Sequence, residues 1–273
     1  MGQFDCNFLS YTFNRAINIH VIVPSIVSGD VEKSGVSHKI EYKYPVVYLL
    51  HGYCNDASTC ARYTSLERYA EERQIAVVTF SAENGYYLNH NDILKNQTDF
   101  LKIVQNDYEL FLIEELPEFV CTMFPISDKA EHTYIAGISM GGYGAMYHGL
   151  KYPEKFRSIG SFSPLTTLRI APYDSFEQLD EKLLEYEPLY LLDKLKQGNN
   201  KIPSLYYSYG AKDFLVETQD WFRQELTKRG IPYCLDYNTE YGHEWQFWDE
   251  QIHKFLDYIP RDDYYANCPK REV

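Results

Sequence analysis

A chain of 273 residues with 45% hydrophobic and 24% charged residues has the balance of a soluble globular protein and is long enough to bury a core without disulfide or metal staples. A formal net charge of −13 excludes nucleic-acid binding through a broad basic surface and disfavours docking on anionic membranes. There is no apolar run of about 18 residues to span a bilayer, no basic-then-apolar leader in MGQFDCNFLSYTF, and no C-x-x-C pair or zinc-like Cys/His spacing among the six cysteines, so the chain reads as cytoplasmic, with reduced thiols and without metal or cofactor.

In chain order, two strands are predicted at about 4–12 and 16–23, the second ending at Pro24. Residues 25–44 are polar, carry Gly29 and Gly35, and read as a hairpin loop. The apolar run from Pro45 to Leu50 fits a strand buried on both faces, and His51-Gly52 follows it. A helix is predicted at 60–73, a strand at 75–80, a Tyr- and Asn-rich loop at 82–98 and a long helix at 106–123. Then come a strand at 132–138, a helix from Ser139 to about Tyr152 and a strand at 157–163. Residues 164–202 form a polar insertion with helical segments, placed where it can act as a partial lid. A strand at 204–209, a helix at 216–229, a strand at 233–239 and a helix at about 244–258 complete the pattern, while the Tyr-rich tail from Pro260 has no assignment. Strand–helix alternation predicts an α/β fold: one domain over residues 1–273, with about eight mostly parallel strands, an antiparallel start, and helices on both faces.

Gly137-Ile138-Ser139-Met140-Gly141 matches G-x-S-x-G. The bare pattern is weak, but here it follows a strand and opens a helix, the setting in which a sharp turn exposes a serine Oγ. A serine hydroxyl needs a base, and His148, His243 and His253 lie downstream of it. His148 sits on the same helix, roughly 13 Å away, and His253 lies inside the last helix. That leaves His243, between the last strand and the last helix. Of the acids between Ser139 and His243, Asp213 stands just past a strand end, whereas Asp220 falls in a helix, Asp236 in mid-strand and Glu240 near the wrong edge of the His loop. Asp213 is therefore the expected orienting acid. The oxyanion donors are expected to be the backbone N–H groups of Met140 and of Tyr53 in the turn after strand 45–50, with Cys54 as the alternative to Tyr53. His51 reads as structural.

The segment from Gly137 to Ala145 resembles the nucleophile motif of the esterase D family of α/β-hydrolases. Leu49-Leu50-His51-Gly52 and the stretch from Gly210 to Leu215 are similar to that family too, and His243-Glu244-Trp245-Gln246-Phe247-Trp248 resembles the H-E-W-x-x-W of its tributyrin-esterase branch. The resemblance spans roughly residues 10–258. It implies an α/β-hydrolase fold and a Ser-Asp-His triad. It implies a serine carboxylesterase acting through an acyl-enzyme on short- to medium-chain acyl, acetyl or hydroxycinnamoyl esters, with small-molecule substrates and dimers or tetramers. The chain departs from the S-formylglutathione hydrolase branch: His51-Gly52-Tyr53-Cys54 replaces its S-G-L-T-C loop, and His-Glu-Trp replaces its His-Ser-Tyr. The insertion, Tyr86, Tyr87 and Trp245 are the expected substrate contacts. An acyltransferase using the same triad and a non-catalytic binding module are the rival readings.

Overall fold

The computed structural model describes residues 2–31, 35–89, 107–168 and 181–271. Strands β1 (Gly2–Ser10), β2 (Arg15–Val23), β3 (Val46–Leu50), β4 (Ala76–Phe80), β5 (Thr133–Ile138), β6 (Ser158–Phe162), β7 (Ser204–Gly210) and β8 (Tyr233–Asn238) form one sheet in the order β1-β2-β4-β3-β5-β6-β7-β8. β2 is antiparallel to both its neighbours, β1 and β4, and the pairs from β4 through β8 are parallel. The α/β architecture with an antiparallel start is the one expected from the alternation of elements.

The helices are α1 (Thr59–Tyr63), α2 (Leu66–Arg73), α3 (108–123), α4 (Met140–Lys151), α5 (Pro188–Gln197), α6 (Val216–Lys228) and α7 (Trp245–Tyr258). They cover both faces, and the alternation of side chains along each strand shows how. Val46, Tyr48 and Leu50 of β3 join Leu116, Tyr143, Leu192 and Phe222 in one core, whereas Val47 and Leu49 join Leu66, Tyr69, Phe247 and Phe255 in the other. Burial on both faces explains why the β3 residues read as a continuous apolar run.

Several boundaries differ from the sequence expectation for local reasons. The helix expected at 60–73 is two helices. Thr64 is extended at φ −133°, its hydroxyl donates to Cys60 O at 2.7 Å, and the Ser65 N–H donates to Asp249 Oδ1 at 2.7 Å, so side-chain bonds replace the helical ladder there. Residues 111–115 of α3 are wound as a π-helix. Glu115 ends that stretch and points its buried carboxylate at the β1–β2 turn, accepting from Ser10 Oγ and from the N–H groups of Tyr11 and Thr12. The loop at 25–44 contains one helical turn, Ser28–Val31, with 32–34 outside the described residues. The unassigned tail packs back on the chain: Tyr265 stacks on Tyr44 and donates to Tyr42 O, and Arg271 pairs with the fully buried Glu71. Of the 164–202 insertion, residues 169–180 lie outside the described residues; α5 lies against α4, and Tyr143 OH on α4 donates to Tyr186 O.

Candidate active site

The C-terminal ends of β3, β5, β7 and β8 bring the candidate residues together. After β5 the chain turns directly into α4, with Ser139 at the corner in a left-handed conformation of φ 56° and ψ −113°. Such a conformation costs about 1–3 kcal/mol for a non-glycine residue and persists only where its surroundings fix it. Here Ser139 N–H donates to Phe162 O on β6, and Ser139 O accepts from the N–H groups of Tyr143 and Leu165. The flanking glycines leave no alternative. A Cβ at Gly137 would lie 2.1 Å from Gly141 O, and one at Gly141 would lie 2.2 Å from Leu50 O. A Cβ at Gly142 would meet Pro164 at 3.0 Å and Gly137 O of β5 at 3.2 Å, and one at Gly144 would meet the Tyr87 ring at 2.8 Å and the Leu50 side chain of β3 at 3.2 Å, so both glycines let α4 approach the sheet.

His243 stands between β8 and α7. Its Nε2 lies 3.0 Å from Ser139 Oγ, and its Nδ1 lies 2.9 Å from Asp213 Oδ2. Asp213 is 2% exposed. Burial alone would push its carboxyl pKa up. Hydrogen bonding to His243 and that ring's charge, with the Leu215 N–H and Gln219 amide, outweigh burial and hold the pKa below the usual carboxylate value. An ionised Asp213 can only accept, so in the neutral imidazole the proton sits on Nδ1, Nε2 presents a lone pair, and the Ser139 hydroxyl can donate to it.

What keeps the two loops in register is backbone contact. The Lys212 N–H donates to Tyr241 O at 3.0 Å, and Ala211 N–H donates to Asn238 O at 2.8 Å. Gly210 makes this approach sterically possible, because a Cβ there would lie 2.2 Å from Tyr241 O.

The turn after β3 faces the serine: a Cβ at Gly52 would lie 3.5 Å from Ser139 Cβ. Tyr53 and Cys54 are its central residues, closed by the Asn55 N–H donating to Gly52 O, with Cys54 left-handed at φ 62°. The Cys54 N–H donates to Asn84 Oδ1 at 2.8 Å. Met140 opens α4, where an N–H has no partner inside its own helix.

The other histidines are engaged elsewhere. Buried His51 has Nδ1–H donating to Gly52 O and Nε2 accepting from the Ala82 N–H, and burial lowers its pKa. His148 is fully buried, donates from Nε2 to Tyr87 O at 2.8 Å, and is pushed down to about 4 by burial. His253 lies against the Tyr69 ring.

The expected substrate contacts divide. Tyr87 is not in a cleft but fully buried, its ring under Gly144 and its hydroxyl donating to His51 O at 3.0 Å. Tyr86 is 8% exposed and lies between the Tyr53 and Tyr143 rings. Trp245 is half-buried, stacked on Tyr63 and edge-on to Trp248. Two aromatic neighbours of the imidazole were missed. Trp248 meets His243 edge-on at 5.0 Å, and Phe214, 76% exposed, lies 4.6 Å away on a different loop. Both were within reach of the sequence, one adjoining Asp213 and the other closing the H-E-W-x-x-W segment. Among the described residues no cluster of three His, Cys, Asp or Glu is arranged to hold a metal ion, and no helix is long and apolar enough to cross a membrane.

A family model described as "Putative esterase" matches residues 13–259. An acetyl esterase of Caldicellulosiruptor saccharolyticus is 31% identical over 279 aligned positions, covering 96% of this chain and 99% of that protein. Among solved structures, fluorophosphonate-binding serine hydrolase F of Staphylococcus aureus, with substrate bound, superposes with a TM-score of 0.78 at 27% identity, covering 96% of this chain and 99% of that one. The S-formylglutathione hydrolase FrmB of the same organism gives 0.75 at 28%, covering 94% and 98%. The fold is that of the α/β-hydrolases.

Proposed function

The chain belongs to the esterase family whose model it matches and is a carboxylic ester hydrolase; from that premise we propose that Ser139, His243 and Asp213 are its nucleophile, general base and orienting acid. The observation that carries this reading is the continuous contact from Ser139 Oγ to His243 Nε2 at 3.0 Å and from His243 Nδ1 to Asp213 at 2.9 Å, starting from a serine at φ 56° on a strand–helix corner.

In this proposal His243 Nε2 takes the hydroxyl proton as Ser139 Oγ attacks the ester carbonyl carbon. The carbonyl oxygen becomes an oxyanion held by the Met140 and Tyr53 N–H groups. Collapse of the adduct breaks the bond to the alcohol, which leaves with the proton from His243. Water then gives a proton to His243 and attacks the acyl carbon; collapse of this second adduct breaks the acyl–Oγ bond, releases the acid, and returns the proton from His243 to Ser139. Asp213 stays ionised throughout, fixing the tautomer and stabilising the imidazolium.

The substrates of this proposal are acetyl and other short- to medium-chain acyl esters, with hydroxycinnamoyl esters as the aromatic alternative. The acetyl esterase relative supports the first class. The test is a panel of p-nitrophenyl acetate, butyrate, octanoate and ferulate with wild type and Ser139→Ala. Wild-type hydrolysis, strongest on the short chains, with a loss of at least about a thousandfold in the variant is expected. Undiminished turnover by Ser139→Ala would remove the proposal.

A further inference from the structure

In a trans peptide the carbonyl oxygen and the following N–H point to opposite sides of the chain, so whatever holds one aims the other. Applied to the peptide joining Gly52 and Tyr53, this makes Gly52 O the handle on the Tyr53 N–H. Gly52 O accepts two bonds: one from the Asn55 N–H at 3.2 Å, which closes the turn, and a shorter one of 2.7 Å from His51 Nδ1. The second is available only to the Nδ1–H tautomer. The Ala82 N–H, donating to His51 Nε2 at 3.0 Å, selects that tautomer, since neutral imidazole has one donor and one acceptor.

The His51 backbone is held as well. Its carbonyl accepts from Tyr87 OH at 3.0 Å, and the Tyr87 carbonyl accepts from His148 Nε2 at 2.8 Å, anchoring the series in α4, the helix that begins beside Ser139. Tyr87 is itself left-handed at φ 63°, which turns its ring inward. His51 is 1% exposed and Tyr87 not at all, so neither side chain meets solvent.

We propose that His51, braced by Tyr87, is a positioning residue that aims the Tyr53 N–H at the oxyanion formed on Ser139. The inference rests on the proposed roles of Ser139 and Tyr53, and adds that the second donor is oriented by a side chain rather than by the turn alone. Its consequence falls on the transition state. The ester ground state has no full negative charge at that position, so misaiming the donor lowers kcat more than it raises KM.

The test uses two variants, His51→Phe, which keeps a buried ring without hydrogen bonds, and Tyr87→Phe, which removes one hydroxyl. Each is assayed for kcat and KM on p-nitrophenyl acetate and for inhibition by an alkyl trifluoromethyl ketone, to which a reactive serine adds to give a tetrahedral oxyanion. For His51→Phe the expected result is a kcat lower by about 10- to 100-fold with KM within about twofold. Trifluoromethyl ketone affinity should weaken by the same factor as kcat. Tyr87→Phe is expected to show the same pattern at about three- to tenfold. Thermal melting monitors the fold, and if His51→Phe does not fold, Tyr87→Phe decides. Wild-type kcat in the folded variants, or a fall in kcat with unchanged ketone affinity, overturns the proposal. Retained turnover in Ser139→Ala, run beside them, overturns instead the reading beneath it.

Discussion

His148 shows how one residue type takes different parts according to its surroundings. His243, 15% exposed in its side chain, lies between a hydroxyl and a carboxylate, whereas His148 is sealed in the core with a single carbonyl partner. Burial pushes the His148 pKa down to about 4, below the roughly 6.5 of an exposed imidazole. The unfolded chain therefore binds a proton at a higher pH than the folded one. Stability is complete above about pH 6.5 and falls as pH drops toward 4, by about 3 kcal/mol in all. Urea unfolding between pH 7 and 4.5 should show this loss in wild type and a flatter profile in His148→Gln, whose amide can still donate to Tyr87 O. Identical profiles would contradict the assignment. The sequence separated these histidines because position along the chain excludes a base on the nucleophile's own helix. It misplaced Tyr87 because nothing in Asn84-Gly85-Tyr86-Tyr87 records that both tyrosines adopt positive φ and turn the second ring into the core.

At the scale of elements, the candidate site depends on how closely loops approach one another. Asp213 and His243 follow different strands, and the 2.9 Å between them is set by the backbone contact at Gly210. Gly210→Ala puts a carbon against Tyr241 O and must drive the two loops apart. A displacement of about 1 Å in a reacting group costs on the order of a hundredfold in rate. Gly210→Ala is thus expected to lower kcat by about that factor in a chain that still melts cooperatively; unaltered kcat would show that the loops reach their register by other means. The strands and the Ser139 corner were legible because apolar runs and flanking glycines are local signals. The break between α1 and α2 was not, because Asp249, which takes the Ser65 N–H, is remote in sequence. Phe214 and Trp248 stood beside recognised residues, but their contact with the imidazole depends on the relative placement of β7 and α7.

Across the whole molecule, the parallel order from β4 to β8 gathers four strand ends at one edge of the sheet, and a mostly apolar core on each face holds that edge fixed. Open α/β sheets carry their sites at the carboxyl ends of the strands, and here residues as distant as 52 and 243 meet there. The alternation of elements made this architecture readable, whereas the tail from Pro260 was not, since its partners Tyr44 and Glu71 are distant and its own sequence has no period. The proposed hydrolysis depends on one serine, Ser139, being made nucleophilic by this arrangement. The most direct measurement is intact-mass and peptide-mass analysis after treatment with an alkyl fluorophosphonate, for wild type, Ser139→Ala and His243→Ala. One adduct per chain is predicted, located on the peptide containing Ser139, absent from Ser139→Ala and greatly slowed in His243→Ala. An adduct on another residue, or one that persists in Ser139→Ala, would contradict it.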